Sequence, residues 1–186
     1  MAKAKELKGK GVEKYKIGDI STAKDFFARA IAYLEDMDKN DAKETEGIEL
    51  YVTILSNLCN CFNRLKKYDS VINLASKGLK IKELPKLYYF RAISYANNEE
   101  INLSKKDLNS LKKILGQESN KDEGIKYVEV LIEEKQKEIN DYITIKYQNN
   151  KKESKIRIFV DIFFINNYNN CEHIYMRKIY IIYLII

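Results

Sequence analysis

The chain has 186 residues, 45% of them hydrophobic and 32% charged, with a formal net charge of +6. That length and balance fit one soluble globular domain with a core of its own. No window holds the 18 or more consecutive apolar residues that a membrane-spanning helix needs, and the closest run, 179–186, is too short. One proline and seven glycines leave little turn punctuation, so the chain is expected to be mostly helical.

The first element pair lies in 7–34, LKGKGVEKYKIGDISTAKDFFARAIAYL. Helices are predicted over about 4–17 and 20–38, with Gly18-Asp19 as the turn between them. Gly11 offers a small packing position on the first helix, and Ala23, Phe27 and Ala30 share one face of the second. The first helix carries Lys3, Lys5, Lys8, Lys10, Lys14 and Lys16 against only Glu6 and Glu13, which favours an acidic partner near this end. Met1 leads straight into this lysine-rich helix without an apolar stretch, so no secretory signal is read and a cytoplasmic protein is expected.

The four packing positions recur. Cys59, Val71, Ala75 and Gly78 each follow their counterparts in the first pair by 48 residues, and Ala92, Ser104, Leu108 and Leu111 follow those by 33. Two constant shifts linking twelve mostly small or apolar residues are the signature of a helix-turn-helix repeat of about 34 residues, each unit burying its apolar face against its neighbour. Phe62 and Tyr95 add aromatic area three residues after Cys59 and Ala92. Further helices are predicted over about 47–65, 69–82, 86–98 and 101–115, with Lys67-Tyr68-Asp69 as the second intra-repeat turn. The larger first shift leaves about 14 extra residues in the polar stretch Asp36 to Gly47, expected to lengthen the flanking helices and loop outward. Cys59 and Cys61 form neither a CxxC knuckle nor a disulfide framework, and the three cysteines are expected to pack as small hydrophobes.

After the third pair, Ile125, Val128, Ile132, Ile139, Tyr142 and Ile143 follow helical spacing, which predicts a helix over about 122–145 that covers the open end of the stack. The fold class expected is therefore all-α: a right-handed superhelix of three repeats, about 4–37, 52–84 and 85–118, plus a C-terminal capping helix, in a domain spanning 1–146. Beyond it the composition shifts. Residues 147–186 hold ten Ile, six Asn and five Tyr with no Ala, Gly, Pro or Thr. Such residues have A/T-rich codons, and the stretch is expected to be a disordered extension or read-through sequence. Within it, 155–165, KIRIFVDIFFI, is an aggregation-prone segment.

These residues, and above all LKGKGVEKYKIGDISTA and LSNLCNCFNRLKKYDSVI, resemble the tetratricopeptide repeat (TPR) family, in particular the three-repeat domains of co-chaperones and large immunophilins. The resemblance covers about 4–145 and implies a peptide-binding adaptor whose partner is a protein, such as a heat-shock chaperone presenting an acidic C-terminal tail to the concave groove. It also implies a two-carboxylate clamp, for which convergent cationic and amide donors are the suitable chemistry. Carried over, Lys8 stands at the first-helix Lys position, Asn57 at the third-helix Asn position and Lys86 at the fifth-helix Lys position. The remaining two positions hold Val12 in place of Asn and Phe90 in place of Arg. Arg91 follows Phe90 by one residue, but residues four and five apart on a helix differ from alignment by about 40° and 140°, so Phe90 and not Arg91 is expected to face the groove with Lys86. Asn57, Asn60, Asn63 and Arg64 share a face of the third helix, and Tyr89, Phe90 and Ile93 add apolar area on the fifth. The expected peptide site is thus Lys8, Asn57, Asn60, Arg64, Lys86 and Phe90, suited to an acidic segment with hydrophobic residues. The alternative left by this resemblance is a scaffold that has lost tail binding.

No enzyme is expected. His173, the single histidine, has no nucleophile or acid placed near it, and GxxxxGK[ST], GxGxxG and HExxH are absent, so no catalytic, cofactor or metal residue is assigned. Acids match the lysines along most helices and no Gly-aromatic or zinc module occurs, so no nucleic-acid partner is expected.

Overall fold

A computed structural model describes residues 1–35, 44–116, 119 and 122–167. All the secondary structure among them is helical: α1 Ala2–Lys16, α2 Ile20–Glu35, α3 Glu44–Arg64, α4 Tyr68–Leu79, α5 Pro85–Asn97, α6 Ile101–Leu115 and α7 Glu123–Asn167. The first six agree with the predicted bounds to within three residues. Of the 36–47 stretch, only the part from Glu44 is described, and it lengthens α3.

Each of the twelve packing positions is buried, from Gly11, Ala23, Phe27 and Ala30 through to Leu111. The close approach inside each pair falls at the same register. A Cβ on Gly11 would lie 2.7 Å from the Phe27 ring. In the second pair Cys59 Sγ reaches the Val71 carbonyl at 4.0 Å, and in the third Ser104 Oγ donates to the Ala92 carbonyl at 2.7 Å. Between pairs, Gly78 sits so close under Leu87 that a Cβ there would lie 2.6 Å from Leu87 Cδ1.

The core forms three clusters in chain order. Leu7, Phe27 and Ile54 join α1, α2 and α3; Val52, Val71 and Leu87 join α3, α4 and α5; Ile93, Leu108 and Val128 join α5, α6 and α7. Each cluster binds only neighbouring helices, as expected for a stacked solenoid, and α3 and α5 are each buried in two clusters. Among α1 to α6, the backbones of α1 and α3 and of α3 and α5 run close together, whereas those of α2 and α4, and of α4 and α6, do not. The odd-numbered helices therefore stand side by side as an inner wall while the even-numbered ones splay apart behind it.

All three intra-repeat turns have one conformation. Gly18, Lys66 and Glu99 occupy the left-handed region at φ +84°, +54° and +64°, and they are spaced by the same 48 and 33 residues as the packing positions. In each turn this residue's amide donates to the carbonyl three back and the next amide to the carbonyl five back, as in Asp19 N to Lys14 O, Lys67 N to Phe62 O and Glu100 N to Tyr95 O. This is the Schellman closure, which satisfies the last carbonyls of a helix. Asp19 and Asp122 then cap α2 and α7 by accepting from Thr22 N at 3.1 Å and Ile125 N at 2.9 Å. The Thr22 contacts hold the Asp19 carboxyl below its ordinary pKa.

The chain divides into two compact units, Met1–Ile139 and Asn140–Ile186. The capping helix runs past the end expected near 145, since α7 continues to Asn167. No Gly or Pro interrupts 125–167, and the abundant β-branched residues cost a helix only about 0.7 kcal/mol or less each. Residues 168–186 lie outside the described residues, His173 and Cys171 with them. Among the described residues no helix is long and apolar enough to cross a membrane.

Candidate functional site

The six candidate residues lie on α1, α3 and α5, and five of them carry polar groups. Lys8 is half-buried on α1, Asn57 and Asn60 are half-buried on α3, and Lys86 is exposed in the first turn of α5. None of these four makes a hydrogen bond or ion pair to another described residue, so their donors are available to a ligand. Arg64 is exposed at the end of α3 with its guanidinium 5.4 Å from the centre of the Tyr15 ring on α1. Its charge is retained and its orientation fixed by the aromatic face.

Phe90 differs from its expected role as an open groove surface. Only 8% exposed, it packs with Val52, Cys59, Val71, Ala75 and Leu87 and meets the Tyr89 ring edge-on at 5.3 Å between centres. Burying such a ring is favourable by about 1.5–3 kcal/mol, and the seam between α3, α4 and α5 provides the space. Val12, the other departure from the donor set, packs half-buried against the first core cluster.

Arg91 turns away from the wall, as its one-residue offset requires. Its Nε and one terminal nitrogen donate to the two Asp107 carboxylate oxygens at 2.7 Å each, and the other terminal nitrogen donates to Ser76 Oγ at 2.8 Å. The Tyr88 and Tyr95 rings flank the guanidinium with their centres 5.8 Å away. This strut ties α4, α5 and α6 together, and Asp107 raises the Arg91 pKa further. Sequence reasoning missed it, although Asp107 falls within the buried stripe of Ser104, Leu108 and Leu111, where a carboxylate signals a buried cation. A second bridge joins α2, α3 and α4: Glu35 accepts from Lys77 Nζ at 2.5 Å and from Tyr51 OH at 2.6 Å, which together lower its pKa.

Burial pushes the Cys59 and Cys61 thiols up to about 12 and about 11, so they stay protonated and unreactive at neutral pH. Among the described residues no group of three or more His, Cys, Asp or Glu is placed to hold a metal ion. Two open clefts of about 440 and 420 Å³ lie along α6 and beside Glu99–Leu103, away from the inner wall.

No protein-family model matches the chain. Among solved structures, it is similar to the C-terminal TPR-containing domain of an FK506-binding protein from Plasmodium falciparum, with a TM-score of 0.65 and 23% identity over 75% of this chain and 92% of that one. It is also similar to the Hsp90 co-chaperone Cns1 from Saccharomyces cerevisiae, with a TM-score of 0.68 and 17% identity over 87% of this chain and 48% of that one. The chain thus spans about half of the Cns1 structure. Three stacked helix pairs of one register, a covering helix and these two likenesses establish the fold as that of a tetratricopeptide-repeat domain.

Proposed function

We propose that this protein is a co-chaperone-like adaptor that captures an extended acidic peptide, such as the C-terminal tail of a heat-shock chaperone, on the wall formed by α1, α3 and α5. The observation that carries this reading is the set of uncommitted donors on that wall: Lys8, Asn57, Asn60 and Lys86 face no internal acceptor, whereas Lys3, Lys5 and Lys10 are occupied by Glu6 and Glu46. Both fold relatives bear on the proposal, since one is named an Hsp90 co-chaperone and the other a TPR-containing domain. Capture is noncovalent, through charge-assisted hydrogen bonds to carboxylates.

A second reading has its own observation. Val12 and Phe90 supply apolar surface where the clamp would need an amide and a guanidinium, and both are packed into core clusters. Each missing charge-assisted bond is worth about 1.5–3 kcal/mol, so two would weaken tail binding by about two or more orders of magnitude. A scaffold that has lost tail binding fits that arithmetic.

Titration of the full chain with an acidic peptide ending in a free carboxylate decides between them. Lys8→Ala and Lys86→Ala should each cost about 1–3 kcal/mol of binding, and Val12→Asn should strengthen it. Lys3→Ala should cost less than about 0.5 kcal/mol, as exposed charges do. Equal losses at all three lysines would mean diffuse electrostatics without a clamp, and absent binding even with Val12→Asn would leave the scaffold.

A further inference from the structure

The three intra-repeat turns lie along one edge of the first unit. Arg64, just before the second turn, stacks on Tyr15, just before the first. Asn98 of the third turn donates to Asp69 beside the second at 2.7 Å. The turns share one backbone conformation yet differ sharply in chemistry.

The first two turns are basic. Lys14, Lys16, Lys66 and Lys67 make no ion pair or hydrogen bond through their side chains to another described residue, and Arg64 has only its aromatic contact. Their acidic neighbours are few: Asp19, which interacts with Lys14, is occupied in capping α2; Asp69 is held by Asn98; Glu13 alone is uncommitted. Two aliphatic side chains stand among these cations at equivalent register, Ile17 at 72% exposed and Leu65 at 38%. The third turn reverses the pattern with Asn98, Glu99 and Glu100.

Lys66 sharpens the contrast. Its left-handed φ of +54° suits glycine, which stands at the equivalent Gly18. Glu99 holds the same conformation at φ +64°, so the backbone is common to the turns and only the charge they display differs. We propose that the edge made by the first two turns is a second interaction surface, one that takes an acidic protein segment carrying apolar side chains. Carboxylates pair with Lys14, Lys66 and Lys67, and the apolar side chains cover Ile17 and Leu65. Such a segment needs no terminal carboxylate, which separates this edge from the inner wall.

The probe is a fluorescent, C-terminally amidated peptide of Glu and Asp with two Leu one helical turn apart, titrated against the full chain. Lys66→Gly combined with Lys67→Ala should weaken binding by about tenfold, with Ile17→Ser weakening it severalfold. Lys8→Ala with Lys86→Ala should change it by no more than about twofold. Lys66→Gly relieves the φ while removing the charge, so a melting temperature at or above wild type shows that the lost binding is a lost contact. Lys14→Ala, in a regular helix, gives the same readout without touching a turn. The proposal is overturned by no binding, by equal losses in the edge and wall variants, or by an oligouridylate RNA that binds as tightly and loses as much in the same variants.

Discussion

The first and third repeats solve one geometric problem with different chemistry. In the first, the two helices close over Gly11, with the Phe27 ring filling the space a side chain would take. In the third, Ala92 stands at the Gly11 position and its carbonyl accepts from the Ser104 hydroxyl, while Asp107, beside Leu108 at the Phe27 position, has its carboxylate held by Arg91. The repeat frame fixes spacing and burial but not polarity. A polar seam is tolerated because it is closed: no buried side-chain nitrogen or oxygen among the described residues lacks a hydrogen-bond partner.

That contrast predicts different responses to truncation. Asp107→Ala should lower the stability of the first unit by about 3–5 kcal/mol, because it strands the Arg91 guanidinium in a largely desolvated slot. Phe27→Ala should cost a similar amount, about 3–5 kcal/mol, through the cavity it leaves. The two losses differ in their repair. Replacing Arg91 and Asp107 together by Met and Leu should recover most of the loss, since an apolar pair of similar volume is often neutral, whereas no single partner change repairs Phe27→Ala. Urea unfolding of the full chain, followed by far-ultraviolet circular dichroism, measures both. If the double variant unfolds as easily as Asp107→Ala, the strut is specific to its charges and the comparison fails.

A smaller effect separates the turns. Gly18→Ala should cost about 1–2 kcal/mol, since it places a Cβ in the left-handed region. Lys66→Gly and Glu99→Gly should each move stability the other way, by up to about 1 kcal/mol, offset in part by greater freedom of the unfolded chain. Thermal melts of the three variants check the signs. A loss on converting Lys66 to Gly would mean that its side chain supports the turn.

These turns also mark where the sequence was legible. The packing register was readable because twelve small or apolar residues share two constant shifts, and burial enforces that pattern without help from any particular partner. The Gly18 turn was readable from its glycine. Its counterpart in the second pair lies one residue before the expected Lys67-Tyr68-Asp69, because lysine carries no local mark of a positive φ. The burial of Phe90 is not legible in the sequence, since periodicity says which way a ring points and not how deep the neighbouring seam is. The extent of α7 is hidden for the opposite reason: the Ile- and Asn-rich composition past 146 changes abruptly while no breaker interrupts it, and a helix ends only where something ends it.

A pH-dependent effect concerns Cys59, the second repeat's answer to the seam that the first fills with Gly11 and the third with Ala92, and Cys61, two residues on in the first core cluster. Desolvation pushes their thiols up to about 12 and about 11, from the ordinary value near 9 of an exposed thiol. The folded state therefore holds these protons at pH values where the unfolded chain has released them. Stability then falls as pH rises, because the unfolded state binds fewer protons. The contribution is fully present below pH 9 and is lost progressively between about 9 and about 12. Urea midpoints at pH 8 and pH 10.5 should fall by more in wild type than in the double variant Cys59→Ala, Cys61→Ala, with the lysine and tyrosine titrations common to both cancelling in the difference. Identical pH dependence in the two proteins would show that these thiols ionise without opening the seams they line, Cys59 against α4 and Cys61 against the first pair, and so that α3 is less tightly packed than its burial implies.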